Sequence, residues 1–163
     1  MKELLTQYAG YNLWANQRLA DIALQLTEAQ QEQEIQSSFN SIHKTFQHIW
    51  DAESIWWQRL KLQEQVIWPS EKTNYSMQES VNGLINQSKE WKQWVEEATE
   101  AALQHEFAYY NTKKEYFKQP VWQMLQHLFN HGTYHRGQIV TLLRQLGIQK
   151  IPVTDFIVFA RKK

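Results

Sequence analysis

The sequence predicts an all-α protein, a four-helix bundle in a single domain over residues 1–163. Three observations predict it. Four long stretches carry apolar residues at steps of three and four, the spacing of one helix face. Helix breakers are scarce, with five glycines and three prolines, which favours uninterrupted helices. The last long stretch alternates steps of four and three from Val121 to Leu146, as expected of helices packed lengthwise in a bundle. At 163 residues the chain can bury a substantial core.

The first helix is expected over about Lys2–Leu26, with Leu4, Tyr8, Tyr11, Ala15, Ile22 and Leu26 as its apolar positions and Arg18 and Leu19 filling the gap. Thr27 to Ile35 is polar and reads as a connection with a short helix opened by Thr27. The second helix is expected over about Phe39–Gln63. Its seam is Phe39, Ile42, Phe46, Ile49, Glu53, Trp56 and Leu60, and Glu53 is the one polar position. Trp68-Pro69-Ser70 stops any helix, because proline disfavours helical backbone in the residue before it. Ser76 and Glu79 form a capping box that opens the third helix. Its seam runs Met77, Val81, Leu84, Ser88, Trp91, Val95, Ala98, Ala102. Between Phe107 and Phe117 two aromatic runs flank a polar centre, which predicts a small hairpin between the third and fourth helices. The fourth helix starts near Pro120, where a missing amide hydrogen costs nothing, and ends at Gly147. The apolar tail Ile151–Phe159 is suited to pack back on the bundle or on a second subunit.

Several classes of function are disfavoured. Seventeen basic and seventeen acidic side chains give zero formal charge, and the only basic run is Arg161-Lys162-Lys163. Nucleic-acid binding depends on a basic surface, so no nucleic acid partner is expected. No cysteine is present, which removes disulfides, thiolate nucleophiles and thiolate metal ligands. Polar residues enter too early at the N-terminus for a signal peptide, and no window of about 18 apolar residues exists to span a membrane. A cytoplasmic protein is expected. Phosphate loops, nucleophile elbows and His-Glu-x-x-His motifs are absent.

The chemically informative segment is His127 to Gln138, where His127, His131 and His135 stand four apart. Side chains at i and i+4 on a helix are neighbours, with Cβ atoms roughly 5–6 Å apart. Two imidazoles so placed can converge on one ion at about 2.0–2.1 Å. All three cannot, because His127 and His135 are roughly 12 Å apart along the axis. His135 lies on the seam and His131 beside it, with Gly132 between them. A glycine there costs about 1 kcal/mol of helix stability relative to alanine, and is expected to open space beside both rings. This selects His131 and His135 over His127. Histidine pairs at this spacing also arise by chance, and a satisfied core pair is the plainer reading. A third ligand must come from elsewhere. His105 lies at the end of the third helix, His43 on the face of Gln47, Trp50 and Trp57, and His48 immediately beside the second seam. Glu53 is a candidate fourth ligand, a group supporting the ligands, a proton-transfer group, or the partner of a buried Arg or Tyr. Trp56 and Trp57 cannot both face the core, so at least one covers a pocket, tail or partner. Arg136 and Arg144 are the basic residues available to an anionic substrate, though exposed arginines on a helix are ordinary.

Three segments carry a family resemblance: Tyr11-Asn12-Leu13-Trp14-Ala15-Asn16; Ser41 to Ile49 with Glu53 and Trp56; and His127 to Gly147, with Asn130-His131 and His135-Arg136-Gly137-Gln138. The chain resembles the DinB/YfiT-like family, DNA-damage-inducible bundles unrelated to the DNA polymerase of the same name. The resemblance implies an up-down-down-up bundle and frequent homodimers. It also implies a divalent metal, zinc or nickel first, on His48, His131 and His135. Some relatives look like transferases or isomerases that use a low-molecular-weight thiol such as bacillithiol or mycothiol. The expectation is therefore a metal-dependent, small-thiol-dependent transferase with a small-molecule ligand; no catalytic residue is assigned. The alternatives are a non-enzymatic metal-containing binding or stress-response module, and a plain helical interaction domain whose histidines are core residues.

Overall fold

The computed structural model describes residues 1–161; Lys162 and Lys163 of the basic C-terminal run lie outside the described residues. In chain order the elements are α1 (Lys2–Ala23), α2 (Glu28–Glu32), α3 (Ile42–Leu60), α4 (Pro69–Lys72), α5 (Met77–Glu97), α6 (Glu100–Gln104), β1 (Glu106–Tyr110), β2 (Tyr116–Pro120), α7 (Val121–Gln145) and α8 (Phe156–Ala160). The four long helices are α1, α3, α5 and α7. Each of α1 and α3 packs against both α5 and α7.

Side-chain partners give the directions. Leu5 and Ala9 cluster with Trp91 and Val95, and Leu19 and Ala23 with Val81 and Leu84, so α1 and α5 run antiparallel. His43 meets Ser80 and Glu53 meets Ser88, so α3 and α5 run parallel. His48 meets His131 while Trp56 meets His127, so α3 and α7 run antiparallel. Tyr8 stacks on Phe129 and Asn16 meets Arg136, so α1 and α7 run parallel. The order is up, down, down, up. Such an order requires a long crossing between the two parallel helices, which is the segment from the end of α3 at Leu60 to the start of α5 at Met77 that carries α4.

Local chemistry explains where the helices begin. Ser76 accepts from the Glu79 amide while the Glu79 carboxylate accepts from the Ser76 amide, and Thr27 with Gln30 repeats this box at α2. Ser41 caps α3 by accepting from the Lys44 amide. Thr99 caps α6, so the third long helix ends at Glu97 instead of running on to Ala102. Helix α1 likewise stops at Ala23, and Leu24–Leu26 form a turn that feeds α2. Gly147, at φ +82°, closes α7 in the left-handed conformation that favours glycine.

The apolar core falls into two clusters. One gathers Leu19, Ile42, Phe46, Ile49, Leu84, Ile139 and Leu142; the other gathers Ala9, Trp91, Val95, Met124, Leu125 and Leu128. Between them lies a buried polar layer, Asn12 and Asn16 from α1, Glu53 from α3, Ser88 from α5 and Arg136 from α7. On α1 the expected Tyr11, Ala15 and Leu19 are buried, and one expected position, Leu4, is 55% exposed, with Leu5 and Ala9 inward beside it. The face is wider than expected because Asn12 and Asn16 also turn inward to the polar layer, and apolar periodicity does not register polar residues as core.

The hairpin pairs β1 and β2 antiparallel, with Phe107 opposite Gln119 and Tyr109 opposite Phe117. Trp57 turns edge-on to the buried Trp91, while Trp56 packs against Tyr109 of the hairpin and His127 of α7. The tail folds back on α1. Phe156 stacks on Tyr8, Phe159 packs against Trp14, and the Tyr11 hydroxyl donates to the Thr154 carbonyl at 2.8 Å. Among the described residues, no helix is long and apolar enough to cross a membrane.

Candidate metal centre

The buried polar layer positions the histidines. Glu53 Oε1 accepts from Asn12 Nδ2 at 2.8 Å and from Asn16 Nδ2 at 3.1 Å. Its Oε2 accepts from Ser88 Oγ at 2.8 Å. The oxygens of the same two amides face the other way. Arg136 donates to Asn12 Oδ1 at 2.7 Å and to Asn16 Oδ1 at 2.8 Å, and also to Thr133 Oγ1 at 2.9 Å. Each asparagine therefore relays between an anion and a cation. Burial pushes the Glu53 carboxyl up to about 7, against the pull of Asn12, Ser88, Arg136 and Asn16.

This network reassigns three sequence expectations. Glu53 is the partner of a buried arginine's network and is not grouped with the histidines. Arg136, expected on the surface, is 2% exposed, with its guanidinium 5.3 Å from the Tyr11 ring centre. Gly132 does not open space for imidazoles. A Cβ there would stand 2.8 Å from Asn12 Oδ1 and 2.9 Å from an Arg136 nitrogen, so the glycine makes room for the amide–guanidinium contact.

At the same level, on the α3–α7 side, His48, His131 and His135 converge. One ring nitrogen from each lies within 4.8 Å of the others. The Nε2 atoms of His48 and His131 are 3.0 Å apart. Two nitrogens each about 2.0–2.1 Å from one ion, at angles between a right angle and tetrahedral, stand roughly 2.9–3.4 Å apart. His135 Nδ1 lies 2.7 Å from Gln138 Oε1. That oxygen only accepts, so Nδ1 carries the proton and Nε2 keeps its lone pair. Gln138 is itself held, donating to Ser38 Oγ at 2.8 Å. Phe39, expected on the α3 seam, lies before the helix; it stacks on His48 at 3.8 Å and meets His135 edge-on.

Electrostatics favour the ligand form. Burial holds the His48 imidazole down at about 4 and His131 at about 3, with the neighbouring histidines adding to the effect. Burial also lowers His135, against the opposing Gln138 contact. At neutral pH all three rings are neutral nitrogen donors. A set of three imidazoles is compatible with a divalent transition metal.

The other imidazoles are elsewhere. His127 packs beside Trp56 and is one helical turn from His131. His43 bridges Glu32 and the fully buried Ser80, tying α2 to α3 and α5. His105 caps α6. The sequence reading missed Gln138, whose position three residues after His135 was the available signal. It also missed Asn12, Asn16 and Ser38, which no apolar pattern marks.

Gly132→Ala is expected to destabilise by about 1–3 kcal/mol through overpacking of the Asn12–Arg136 contact, read by urea denaturation. A second expectation concerns pH. Because the folded pKa of Glu53 is raised from 4.5 to about 7, its contribution to stability is full below pH 4.5 and falls as pH rises towards 7. Subtracting the stability–pH curve of Glu53→Gln from that of the wild type isolates this slope; a flat difference would contradict it.

The sequence model described as the DinB family matches residues 1–162. The Bacillus subtilis (strain 168) Protein DinB is 31% identical over 166 residues, covering 96% of this chain and 93% of that protein. A DinB-like protein from Bacillus cereus ATCC 10987 superposes with a TM-score of 0.72 at 22% identity, covering 93% of this chain and 95% of that one. A second, from Bacillus subtilis, superposes with a TM-score of 0.67 at 14% identity, covering 91% and 97%. These two share the fold. On the match along nearly its whole length, the chain belongs to the DinB family.

Proposed function

We propose that His48, His131 and His135 hold one divalent metal ion, zinc or nickel, in a metal-dependent transferase that takes a small thiol as co-substrate. The observation that carries this reading is the convergence of three neutral imidazoles, with the Nδ1 of His135 already committed to Gln138. Among the described residues no fourth Cys, Asp, Glu or His joins the group, and three protein ligands with an open position are the pattern of catalytic sites. A metal there supplies Lewis acidity that favours the thiolate form of a bound thiol. Gln138 fixes the tautomer and orientation of His135, and Phe39 limits water on one side of His48. The absence of cysteine suits this reading, because the substrate brings the sulfur.

The second reading keeps the metal without turnover: a non-enzymatic binding or stress-response module. It is favoured by the buried polar layer, since Glu53 is committed to Asn12, Asn16 and Ser88 and is not free as a general base at the histidines. A cytoplasmic homodimer completes both readings.

Elemental analysis of untagged protein tests the site. About one metal per chain is expected, and its loss from His48→Ala/His135→Ala; a wild type that neither carries metal nor takes up zinc or nickel overturns both readings. Turnover of thiol and electrophile pairs by the loaded protein separates the two. Gln138→Leu is expected to weaken metal affinity by about 10–100-fold while retaining the fold, as measured by competition with a chelator.

A further inference from the structure

Arg59 stands on the helix stripe that carries His48, at steps of four, three and four through Ala52 and Ile55. It is eleven residues from His48, about 16 Å along the axis, and arginine side chains on a helix lean back towards its N-terminus. On the facing helix, α7 carries His131 and, one turn away, His127, which packs against Trp56. The Arg59 guanidinium therefore lies at the far end of the α3–α7 face whose other end is the histidine group.

Its environment is unusual for a cation. The guanidinium carbon sits 4.8 Å from the Trp56 ring centre and 5.1 Å from that of Tyr109. Contacts to ring faces supply no hydrogen-bond acceptor for the guanidinium N–H donors. Among the described residues no carboxylate pairs with Arg59. Its Nε is buried and has no acceptor. A half-buried cation with no carboxylate beside it and a buried donor unpaired is costly unless an anion completes it. Contacts with Trp56 and Tyr109 hold the hairpin against α3 without pairing those donors.

We infer that Arg59 is an anion subsite, taking the carboxylate or phosphate of a small molecule whose other end reaches His48, His131 and His135. What lies at that other end rests on the proposed metal function. With Nε buried, the two terminal nitrogens are the ones that can take either anion in a two-point contact, beside Trp56 and Tyr109.

The test is calorimetric titration of the full chain with succinate and with inorganic phosphate, at fixed ionic strength with chloride as the reference anion. Zinc-loaded and chelator-treated protein are both titrated. Saturable binding by wild type is expected, weaker by about tenfold or more in Arg59→Gln with zinc stoichiometry unchanged. Tighter binding of succinate assigns a carboxylate, and of phosphate a phosphoryl group. Absence of saturation with both anions overturns the subsite, as does equal affinity in the two proteins. Should Arg59→Gln lose its thermal unfolding transition, Arg59→Lys decides. It keeps the charge but not the fork, so weaker binding supports the subsite and unchanged affinity overturns it. Zinc stoichiometry on the same samples keeps failure of the metal reading separate from failure of the subsite.

Discussion

A carboxylate and a guanidinium, Glu53 and Arg136, are buried together at mid-bundle and joined through two asparagine amides. Neither charge is tolerable alone in an apolar interior. The amides of Asn12 and Asn16 solve this by giving nitrogen to the anion and oxygen to the cation. Three of the long helices meet in that exchange, and α5 joins through Ser88 and through the Trp91 indole, which donates to the Glu53 carbonyl. Apolar side chains at one level can slide past each other by a residue or a turn with modest loss. A network of directional bonds cannot, because a shift leaves buried donors unpaired. The polar layer therefore sets the register of the bundle.

Register is what a site made from two helices needs. His131 and His135 belong to α7 and His48 to α3, and the convergence of their ring nitrogens depends on how those helices are phased. Arg136 adjoins His135 in sequence, and Glu53 lies about one and a half turns along α3 from His48. The same layer that splits the apolar core thus anchors the two helices close to the imidazoles. Gly132 belongs to this arrangement as the position where any side chain would part Asn12 from Arg136.

Around the rings the surroundings are built from loops as much as helices. Phe39 and Ser38 come from the crossing before α3, and one covers His48 while the other holds Gln138. The hairpin brings Tyr109 over Trp56 and Arg59, closing the other end of the α3–α7 face. The segment before α3 and the hairpin before α7 thereby furnish the walls beside the histidines.

The helical class, the capping box at Ser76, the short helix opened by Thr27, the hairpin between the third and fourth long helices, and the seams of α5 and α7 were legible in the sequence. Each is local: a cap, a turn or a periodicity is decided by residues a few positions apart. The pairing of His131 with His135 was legible for the same reason, being four residues apart on one helix. The choice of His48 over His43 was carried by family resemblance, since both lie on one helix and only packing tells which faces α7. The inward turn of Asn12 and Asn16, the burial of Arg136 and the purpose of Gly132 were not legible. Asn12, Asn16, Glu53, Ser88 and Arg136 are polar residues from four helices, and only tertiary structure brings their donors and acceptors within reach of one another. Before that meeting Asn12, Asn16 and Arg136 read as surface and Glu53 and Ser88 as polar breaks in a seam; after it, they are the part of the interior least free to move.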